Sequence, residues 1–396
     1  MISVEKAKKI ISEKINLLHS EKIEVVNSVD RILSADVIAK INIPSFDNSA
    51  MDGFALKHSD LENGKTDFLI LEDIKAGDNT EITINPGECA PIFTGALIPN
   101  GTDTIIMVEK TTTENNIMKV EEGYQSQSGK HIRLLGEQIK KGEVAIFKGQ
   151  KINPATASYL SALGETEVKV FSSPEILIIT TGNEIVQAGN PLQYGQVYES
   201  NSTAIITLLK QQSVTDITYK IAKDTNVNLL NKLENSEHYD IVILTGGISV
   251  GKYDLVADCL EKIGVQKEFH KIAQKPGKPL YFGTKGKTLF FALPGNPAAV
   301  ITSYYEYLFP VIRKMMGYKN IELKKENLTL LNDVKIKANR SNFLKGKIEG
   351  NGVTILSGQA SHILSSFAIA DCFIYLPKGK ENWKKRESVE VHILPE

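Results

Sequence analysis

An alternation of short apolar segments with helical ones, beginning at Pro174, restricts the fold of this chain more than any other feature. The apolar segments have the length of strands and read PEILIIT, VTDITYKIA, YDIVILT and KTLFFAL. The helical stretches between and after them are Ser202–Gln212, Asn226–Ser236, Asp254–Gly264 and Pro297–Gly317. Because such strands are apolar on both faces, the pattern predicts an open, mostly parallel α/β sheet with right-handed crossovers.

The rest of the chain divides into further regions, since 396 residues are too many for one compact core. Apolar residues at helical spacing predict an amphipathic helix near the amino terminus: Val4, Ala7, Ile11, Ile15 and Leu18. Short strand-like pieces separated by turns predict a β-rich domain at 49–138 and a C-terminal β domain at 322–396. The first of these is inserted into a helical and extended linker domain, 1–48 and 139–173, and the α/β domain spans 174–321. The predicted fold class is multidomain α/β plus β.

The overall charge is nearly balanced, with 46 Lys and Arg against 47 Asp and Glu. This balance argues against nucleic acid or an anionic membrane as a partner, so any anion site must be local. No apolar run reaches the roughly 18 residues of a membrane helix, and the amino terminus lacks the apolar core of a signal peptide. Three dispersed cysteines without a CxxC pair indicate a reducing compartment. We therefore expect a cytoplasmic protein.

Three loops that follow strands of the predicted sheet carry the features of a ligand site, because ligands bind at the carboxyl ends of such strands. They read ITTGNEIV, LTGGISVGKYD and ALPGNPAAV. The second offers two glycines flanked by hydroxyls and the third a stiff Pro-bounded turn, both suited to phosphate: Thr245, Gly246, Gly247, Ser249, Pro294, Gly295, Asn296 and Pro297. The alternatives are a simple strand-ending turn and a well-made helix start.

Charged residues are predicted at the same edge of the sheet. The segment HKIAQKPGKP sets Lys271, Lys275 and Lys278 close together as anchors for a multiply charged anion, although clustered lysines are more often a solvated surface. Three carboxylates follow strand ends and are candidate magnesium ligands beside phosphate oxygens: Glu184, Asp224 and Asp254. Taken singly, each is an ordinary surface acid.

Outside the α/β region, the segment PSFDNSAMDGFAL places Asp47 and Asp52 in a loop dense in small and turn-forming residues. Its apolar neighbours, Phe46, Met51 and Phe54, could fix the loop and direct a carboxylate outward. Composition alone equally fits an Asx-type turn between strands.

Eight segments in this order resemble the molybdopterin molybdenumtransferase (MoeA) family: FDNSAMDGFA, FTGALIP, TTGNEIV, YESNS, LTGGISVGKYD, KPGKPLYFG, ALPGNPAA and SHILSSF. They span residues 44–367, and the two amino-terminal segments distinguish this family from others that share the α/β unit. The resemblance implies a central α/β molybdopterin-binding domain and an elongated four-domain homodimer. It also implies an active cleft between that domain and the β domain of the partner subunit.

The resemblance further implies a reaction, in which molybdate is inserted into adenylylated molybdopterin with Mg²⁺ and AMP is released. The implied catalytic residues are Asp52, Thr94, Glu184 and Asp254, with Mg²⁺ held by Glu184, Asp224 or Asp254. Molybdopterin phosphate would be bound by the loops above together with Lys271 and Lys275. Molybdate would be held by Lys275, Lys278, Lys345 and Ser361. Implied partners are a molybdopterin adenylyltransferase that supplies the substrate and molybdoenzymes that receive the product.

The chain departs from the family pattern at Gln138, usually Asp, at Lys345, usually Arg, and at Ala298-Ala299, frequently Val-Ser. Gln138 and Lys345 leave one alternative open, a pterin carrier or scaffold that binds without turnover. A second alternative, which does not depend on these departures, is adenylyl transfer to molybdopterin. The second would consume ATP, and the amino-terminal segments argue against it. The sequence does not distinguish molybdenum from tungsten.

Overall fold

The computed structural model describes residues 1–78, 82–248 and 255–395. The chain forms two compact units. Unit 1 comprises Met1–Ile23, Ser28–Ser34 and Lys169–Glu396, and unit 2 comprises Glu24–Asn27 and Ala35–Val168. The four-domain boundaries expected from the sequence are finer than this division and stay a prediction.

The helices of the described residues are α1 (Val4–Glu13), α2 (His58–Glu62), α3 (Pro154–Ala162), α4 (Asn201–Gln211), α5 (Asn226–Lys232), α6 (Leu255–Lys262), α7 (Pro297–Ser303) and α8 (Phe309–Met315). A π-helical turn, Tyr304–Leu308, joins α7 to α8, and short 3-10 turns occur at Val25–Asn27, Val108–Lys110 and Ser236–His238. The long helix predicted from Pro297 to Gly317 is therefore three consecutive pieces.

The centre of unit 1 is a six-stranded sheet made of β1 (Ile176–Thr181), β2 (Ile217–Ala222), β3 (Ile241–Thr245), β4 (Gln266–Lys271), β5 (Pro279–Lys285) and β6 (Thr288–Leu293). Its strand order is 2-1-3-6-5-4. The neighbours β2, β1, β3 and β6 pair in parallel, whereas β5 is antiparallel to β6 and to β4. The prediction of a mostly parallel α/β sheet is confirmed, although β4 and β5, the two antiparallel strands at one edge, were not among the four predicted strand segments.

Both faces of this sheet are covered, as the apolar strand segments predicted. Ile176 and Ile178 of β1 lie in one core with residues of α1, α4 and α8, whereas Leu177 and Ile179 lie in a second core with α5 and α6. Alternate residues of a strand point to opposite faces, so one apolar run fills two cores. Helix α1 buries Val4, part of the amphipathic face predicted from the sequence, against the first core.

The carboxyl-terminal part of unit 1 is a closed β barrel, which confirms the predicted C-terminal β domain. Its strands, in order around the barrel, are Ser341–Glu349, Gly352–Ile355, Lys325–Leu330, Ser388–Ile393 and Cys372–Leu376, and the last pairs with the first. The short strand Gln274–Lys275 extends the barrel at Ser341–Glu349, in parallel. Val334–Lys335 pairs with Asn382–Trp383 beside it.

Unit 2 is rich in β structure, as predicted. Its main sheet runs in the order Thr104–Met107, Gly53–Leu56, Glu88–Ile92, Asp67–Ile70, Ile117–Val120 and Thr111–Glu114. Two-stranded pairs join Asn48–Ser49 to Ile132–Arg133 and Val37–Ile38 to Val144–Ile146. The strands Ser20–Glu24 and Glu167–Phe171 lie where the chain passes from one unit to the other. In the described part of the chain, every helix is too short or too polar to traverse a lipid bilayer.

Candidate functional site

Two glycine-bearing strand ends meet at the carboxyl edge of the central sheet. Gly246 and Gly247 follow β3 with φ of 83° and 62°, a backbone region that favours glycine. A Cβ at Gly246 would lie 2.2 Å from the carbonyl oxygen of Thr181, and one at Gly247 would lie 2.6 Å from the Thr181 hydroxyl. The glycines therefore allow a contact between the ends of β1 and β3 that any side chain would prevent.

A third loop joins this edge from β6. Gly295 approaches Gly246, since a Cβ on Gly295 would lie 3.6 Å from the Gly246 Cα atom. The amide of Asn201, the first residue of α4, donates to the carbonyl oxygen of Gly295 at 2.9 Å. Pro294 is buried, while Gly295 and Asn296 are exposed. The sequence prediction that these loops share one edge of the sheet is thus borne out by the packing, whereas their binding roles stay predictions.

Buried polar oxygens collect at this edge. The hydroxyls of Thr180, Thr181 and Thr245 and the Oδ1 atom of Asn201 have no hydrogen-bond partner among the residues that the structure describes. Unpaired buried oxygens are costly, so they mark places where a ligand or water completes the bonding. Sequence reasoning missed Thr181 and Asn201, although both lie within the segments TTGNE and YESNS that carried the resemblance.

The carboxylates expected to hold a metal ion lie at neighbouring strand ends. Glu184 and Asp224 are exposed, and the backbone N–H of Asp224 donates to Asn183 Oδ1 at 3.3 Å. Two exposed carboxylates are a donor set that suits Mg²⁺, which takes one or two carboxylates plus water and phosphate oxygens. Within the described ranges, no three His, Cys, Asp or Glu side chains gather as a metal site. Ser249 and Asp254 lie outside the described residues.

The lysine segment connects the central sheet to the barrel. Lys271 pairs with Pro279 across β4 and β5, and the carbonyl oxygen of Lys278 accepts the Ile272 N–H at 3.0 Å. Lys271 and Lys278 are half-buried, whereas Lys275 is exposed. The structure thus brings the three lysines close in the fold, but only Lys275 is widely accessible.

Lys275 opens onto a cavity of about 470 Å³ at the barrel. The cavity is lined on the barrel side by basic and amide side chains, which include Lys335, Lys337, Arg340, Asn342 and Gln359. A single acidic residue, Glu381, also lines it. Such a lining favours a negatively charged ligand that also accepts hydrogen bonds.

Ser361 lies in a loop that contacts the start of helix α7, and Lys345 lies in the barrel strand Ser341–Glu349. The backbone N–H of Ala298, near the start of α7, donates to the Ser361 carbonyl oxygen at 3.0 Å. Lys345 is only 3% exposed, and its ammonium donates to the carbonyl oxygens of Gly358 at 2.7 Å and Ile363 at 3.2 Å. Burial lowers the pKa of Lys345 below its usual value. Its ammonium thus fixes the loop that carries Ser361, and it also lies 5.1 Å from the centre of the Phe367 ring.

In unit 2, Asp52 and Thr94 form a hydrogen-bonded pair. The backbone N–H and the hydroxyl of Thr94 both donate to Asp52 Oδ1, at 2.7 and 2.8 Å. These two bonds lower the pKa of the exposed Asp52 carboxylate. Asp47 accepts the Leu135 N–H at 2.6 Å and so closes the loop beside it. The loop therefore presents an ionised Asp52, as the sequence suggested, but the partner that fixes its position is Thr94.

The departures from the family pattern have different settings. Gln138 is exposed, and its backbone N–H donates to the Ile43 carbonyl oxygen at 2.9 Å. Ala298 and Ala299 are each 1% exposed in α7. A hydroxyl at Ala299 would need a buried partner, so alanine is compatible with this packing.

Three family models together match most of the chain: the MoeA N-terminal region (domain I and II) at residues 2–164, the probable molybdopterin binding domain at 177–314, and the MoeA C-terminal region (domain IV) at 327–394. The chain is 33% identical to a molybdopterin molybdenumtransferase of Haemophilus influenzae, over the whole of both chains. It is 32% identical to one of Staphylococcus epidermidis, covering 100% of this chain and 98% of the relative.

Solved structures agree with these sequence relatives. A molybdopterin biosynthesis MoeA protein from Pyrococcus horikoshii superposes with a TM-score of 0.85 at 28% identity, over 99% of each chain. A second structure of such a protein from the same organism gives a TM-score of 0.82 at 26% identity, over all of both chains. The matches extend from the amino terminus through the α/β region to the barrel. The chain therefore belongs to the molybdopterin molybdenumtransferase family, whose members are enzymes of molybdenum cofactor biosynthesis.

Proposed function

We propose that this enzyme inserts molybdate into adenylylated molybdopterin and releases AMP. The observation that carries the proposal is the convergence of three structural groups on helix α7 and the sheet edge beside it. The glycine loops lie on one side, the Ser361 loop bonds to Ala298, and the lysine segment packs near Ala299. One small region thus combines candidate phosphate and oxyanion contacts.

The phosphates of the substrate would lie over Gly246, Gly247 and the loop at Gly295. Glycines permit close approach of phosphate oxygens to backbone N–H groups. The unpaired hydroxyls of Thr181 and Thr245 would then donate hydrogen bonds to the ligand, which offsets the desolvation free energy of these buried groups. This step needs no covalent intermediate, because positioning and charge stabilisation supply the rate.

Mg²⁺ would be held by Glu184 and Asp224, with Asp254 a further candidate from the sequence. When bound, the ion would neutralise charge on phosphate oxygens. Both carboxylates are exposed: Glu184 follows Thr181 at the end of β1, and Asp224 follows Ala222, the residue of β2 that pairs with Thr181. Their accessibility is what a site that shares a metal with a phosphate substrate requires.

Molybdate would be held by Lys275, Lys278 and Ser361, with Lys345 shaping the Ser361 loop. Of these residues, the exposed Lys275 also lines the cavity at the barrel. Asp52 would orient the water or molybdate oxygen that attacks phosphorus. The attacked phosphorus is that of the pterin phosphate, so its bond to the bridging oxygen breaks and AMP leaves with the electron pair, while the proton of an attacking water goes to solvent. Molybdate then forms two bonds to the dithiolene sulfurs and loses one oxygen, which leaves as water with the two thiol protons. Asp52 is ionised and exposed, as that role demands.

The test is molybdate-dependent AMP release from adenylylated molybdopterin, followed by reconstitution of a molybdoenzyme that lacks its cofactor. The active protein should release AMP and yield active cofactor only when molybdate and Mg²⁺ are present. A carrier would bind the pterin and leave the anhydride intact, and an adenylyltransferase would consume ATP. Asp52→Ala should abolish release, whereas the matched control Asp36→Ala should not. Asp36 is likewise exposed in unit 2 and accepts one backbone N–H, from Lys148 at 2.7 Å.

We also propose that the enzyme acts as a homodimer in which Asp52 serves the site of the partner subunit. Mixing Asp52→Ala subunits with Lys275→Ala subunits tests this directly, at a molybdate concentration too low for Lys275→Ala alone to turn over. Re-equilibrated equal mixtures should recover up to about one quarter of wild-type activity, averaged over all sites. Random pairing makes about half of the dimers mixed, and one of the two sites in each mixed dimer has both residues intact. Mixtures that stay inactive would place both residues in one subunit's site.

A further inference from the structure

The π-helical turn Tyr304–Leu308 directs two consecutive buried polar side chains to different neighbours. Glu306 contacts Lys8 and His392, whereas the hydroxyl of Tyr307 donates to Oε1 of Gln274. A π-turn inserts an extra residue into a helix and rotates the following side chains, and such turns are frequent at functional sites. The turn lies directly after α7, the helix on which the candidate site converges.

Gln274 carries the second half of this contact. It is 0% exposed, and its amide N–H donates to the carbonyl oxygen of Pro276 at 3.0 Å. Tyr307 is 1% exposed, and burial raises the pKa of its hydroxyl well above the usual value, so it stays a donor at neutral pH. A continuous bonded path therefore runs from the π-turn to the backbone on the far side of Lys275.

The backbone after Lys275 is confined from the helix side as well. Gly277 has a φ of 82°, and a Cβ there would lie 2.9 Å from the Gln274 amide and 3.0 Å from the Ser303 hydroxyl. On the other side, Lys275 pairs with Asn342 of the barrel. Lys275 is thus an exposed residue on a backbone that is fixed before and after it by buried groups.

We infer that Tyr307 and Gln274 are positioning residues that hold Lys275 in the place where it binds molybdate. This inference rests on the proposed function, in which Lys275 binds molybdate. A long lysine side chain is flexible, and its contribution to a tetrahedral dianion depends on where its backbone is held. Removing the Tyr307 hydroxyl leaves Gln274 Oε1 buried without its donor, so the amide and the Pro276 carbonyl that it holds lose their fixed geometry.

The experiment compares Tyr307→Phe with Tyr304→Phe in the full-length enzyme. Tyr304 is the matched control because it is a 0% exposed tyrosine of the same turn whose hydroxyl bonds to Gln212 in a different region. KM for molybdate and KM for adenylylated molybdopterin are measured in the AMP-release assay, with thermal unfolding in parallel. Tyr307→Phe should raise KM for molybdate about five- to twentyfold and raise KM for the pterin by a smaller factor, because the loops at Gly246 and Gly295 also bind that substrate. Tyr304→Phe should lower the melting temperature to a similar extent without changing KM for molybdate.

A double variant identifies the route of the effect. If Tyr307 acts through Lys275, then Tyr307→Phe should add little to the molybdate KM of Lys275→Ala, well below the product of the two single effects. Independent multiplication of the two effects would overturn the inference. Equal molybdate KM values for Tyr307→Phe and Tyr304→Phe would also overturn it.

Failure of the proposed function has a separate signature. If Lys275→Ala itself leaves KM for molybdate unchanged, the assignment of Lys275 is wrong whatever Tyr307 does. Should Tyr307→Phe not fold, Gln274→Glu takes its place, since it keeps the acceptor for Tyr307 and loses the donor to Pro276. The same rise in molybdate KM is expected, and an unchanged KM would refute the positioning role.

Discussion

Asp52 and Glu306 are two carboxylates whose pKa lies below the ordinary value, and the molecule lowers it by opposite means. Asp52 is exposed in unit 2, and its pKa is lowered by hydrogen bonds from the backbone N–H and the hydroxyl of Thr94. For the buried Glu306, burial by itself raises the pKa, but the charge of Lys8 and the bond with His392 outweigh it. Neutral donors on the surface leave Asp52 available to a ligand. Charged partners in the interior occupy the Glu306 carboxylate, which thereby links α1, the π-turn and the barrel.

The largest expected effect is on activity at Asp52. Asp52→Asn keeps the size of the side chain and removes its charge, so AMP release should fall by at least about 100-fold, as for other general acid–base groups. Glu306→Gln, the same change in the interior, should stay within about fivefold at a temperature where it is folded. Steady-state rates at saturating molybdate decide this. A comparable loss of AMP release in both variants would contradict the view that Asp52 acts on a ligand whereas Glu306 only links parts of the fold.

Stability should show the reverse order. Glu306 accepts from Lys8 at 2.6 Å and lies 2.6 Å from His392 Nδ1, with Glu306 and His392 2% and 3% exposed. Breaking such a buried pair costs roughly 3 kcal/mol. Glu306→Gln should therefore lower the free energy of unfolding of unit 1 by about that amount in urea titrations at pH 7. Asp52→Asn should leave the free energy of unfolding close to that of the wild type, because this carboxylate is fully exposed. A stable Glu306→Gln variant would mean that the network contributes no net stability.

The pH dependence of that stability has a fixed sign. Because the folded pKa of Glu306 is below that of the unfolded chain, its contribution is complete above the unfolded value, about 4.3. It is lost as the pH falls through the lower folded value. The gap in free energy of unfolding between wild type and Glu306→Gln should thus be fully present at about pH 5 and close at more acid pH. A gap that instead closes on the alkaline side would contradict this assignment.

The two carboxylates also show what the sequence could predict. Strand and helix periodicity predicted the central sheet, and the rule that strand ends share an edge predicted that Gly246 and Gly295 meet. The resemblance placed Asp52 and Thr94 at functional positions, but no spacing could pair residues so far apart in the chain. Glu306 lies inside a stretch predicted as one helix, where a glutamate is ordinarily solvated. Its burial depends on Lys8 and His392, which only the tertiary fold brings to it.

The same limit applies to the residues around the candidate site. Gln274 is a polar residue in a loop, and nothing in the segment HKIAQKPGKP predicts that it is fully buried. The π-turn has no sequence signal of its own, because one inserted residue hardly changes the apolar pattern of a helix. Lys345 was predicted as an anion contact from the resemblance, and its bonds to Gly358 and Ile363 depend on a loop conformation that periodicity does not encode. Buried contacts of this kind can be identified only from the folded structure.

The smallest expected effect tests how Thr94 supports Asp52. Thr94→Val removes the hydroxyl donor and keeps the backbone N–H, which is the larger cause of the lowered pKa. The pKa of Asp52 should therefore rise only part of the way to its ordinary value, which carboxyl NMR of labelled aspartate can follow. Activity at pH 7 should change by less than about fivefold, because an exposed carboxylate stays ionised there.

The acid limb of the rate profile should move to higher pH, whereas Thr94→Ser, which retains both donors, should leave it in place. If Thr94→Val instead loses as much activity at pH 7 as Asp52→Asn, the hydroxyl itself touches the substrate, and Thr94 is a catalytic residue rather than a support for the carboxylate.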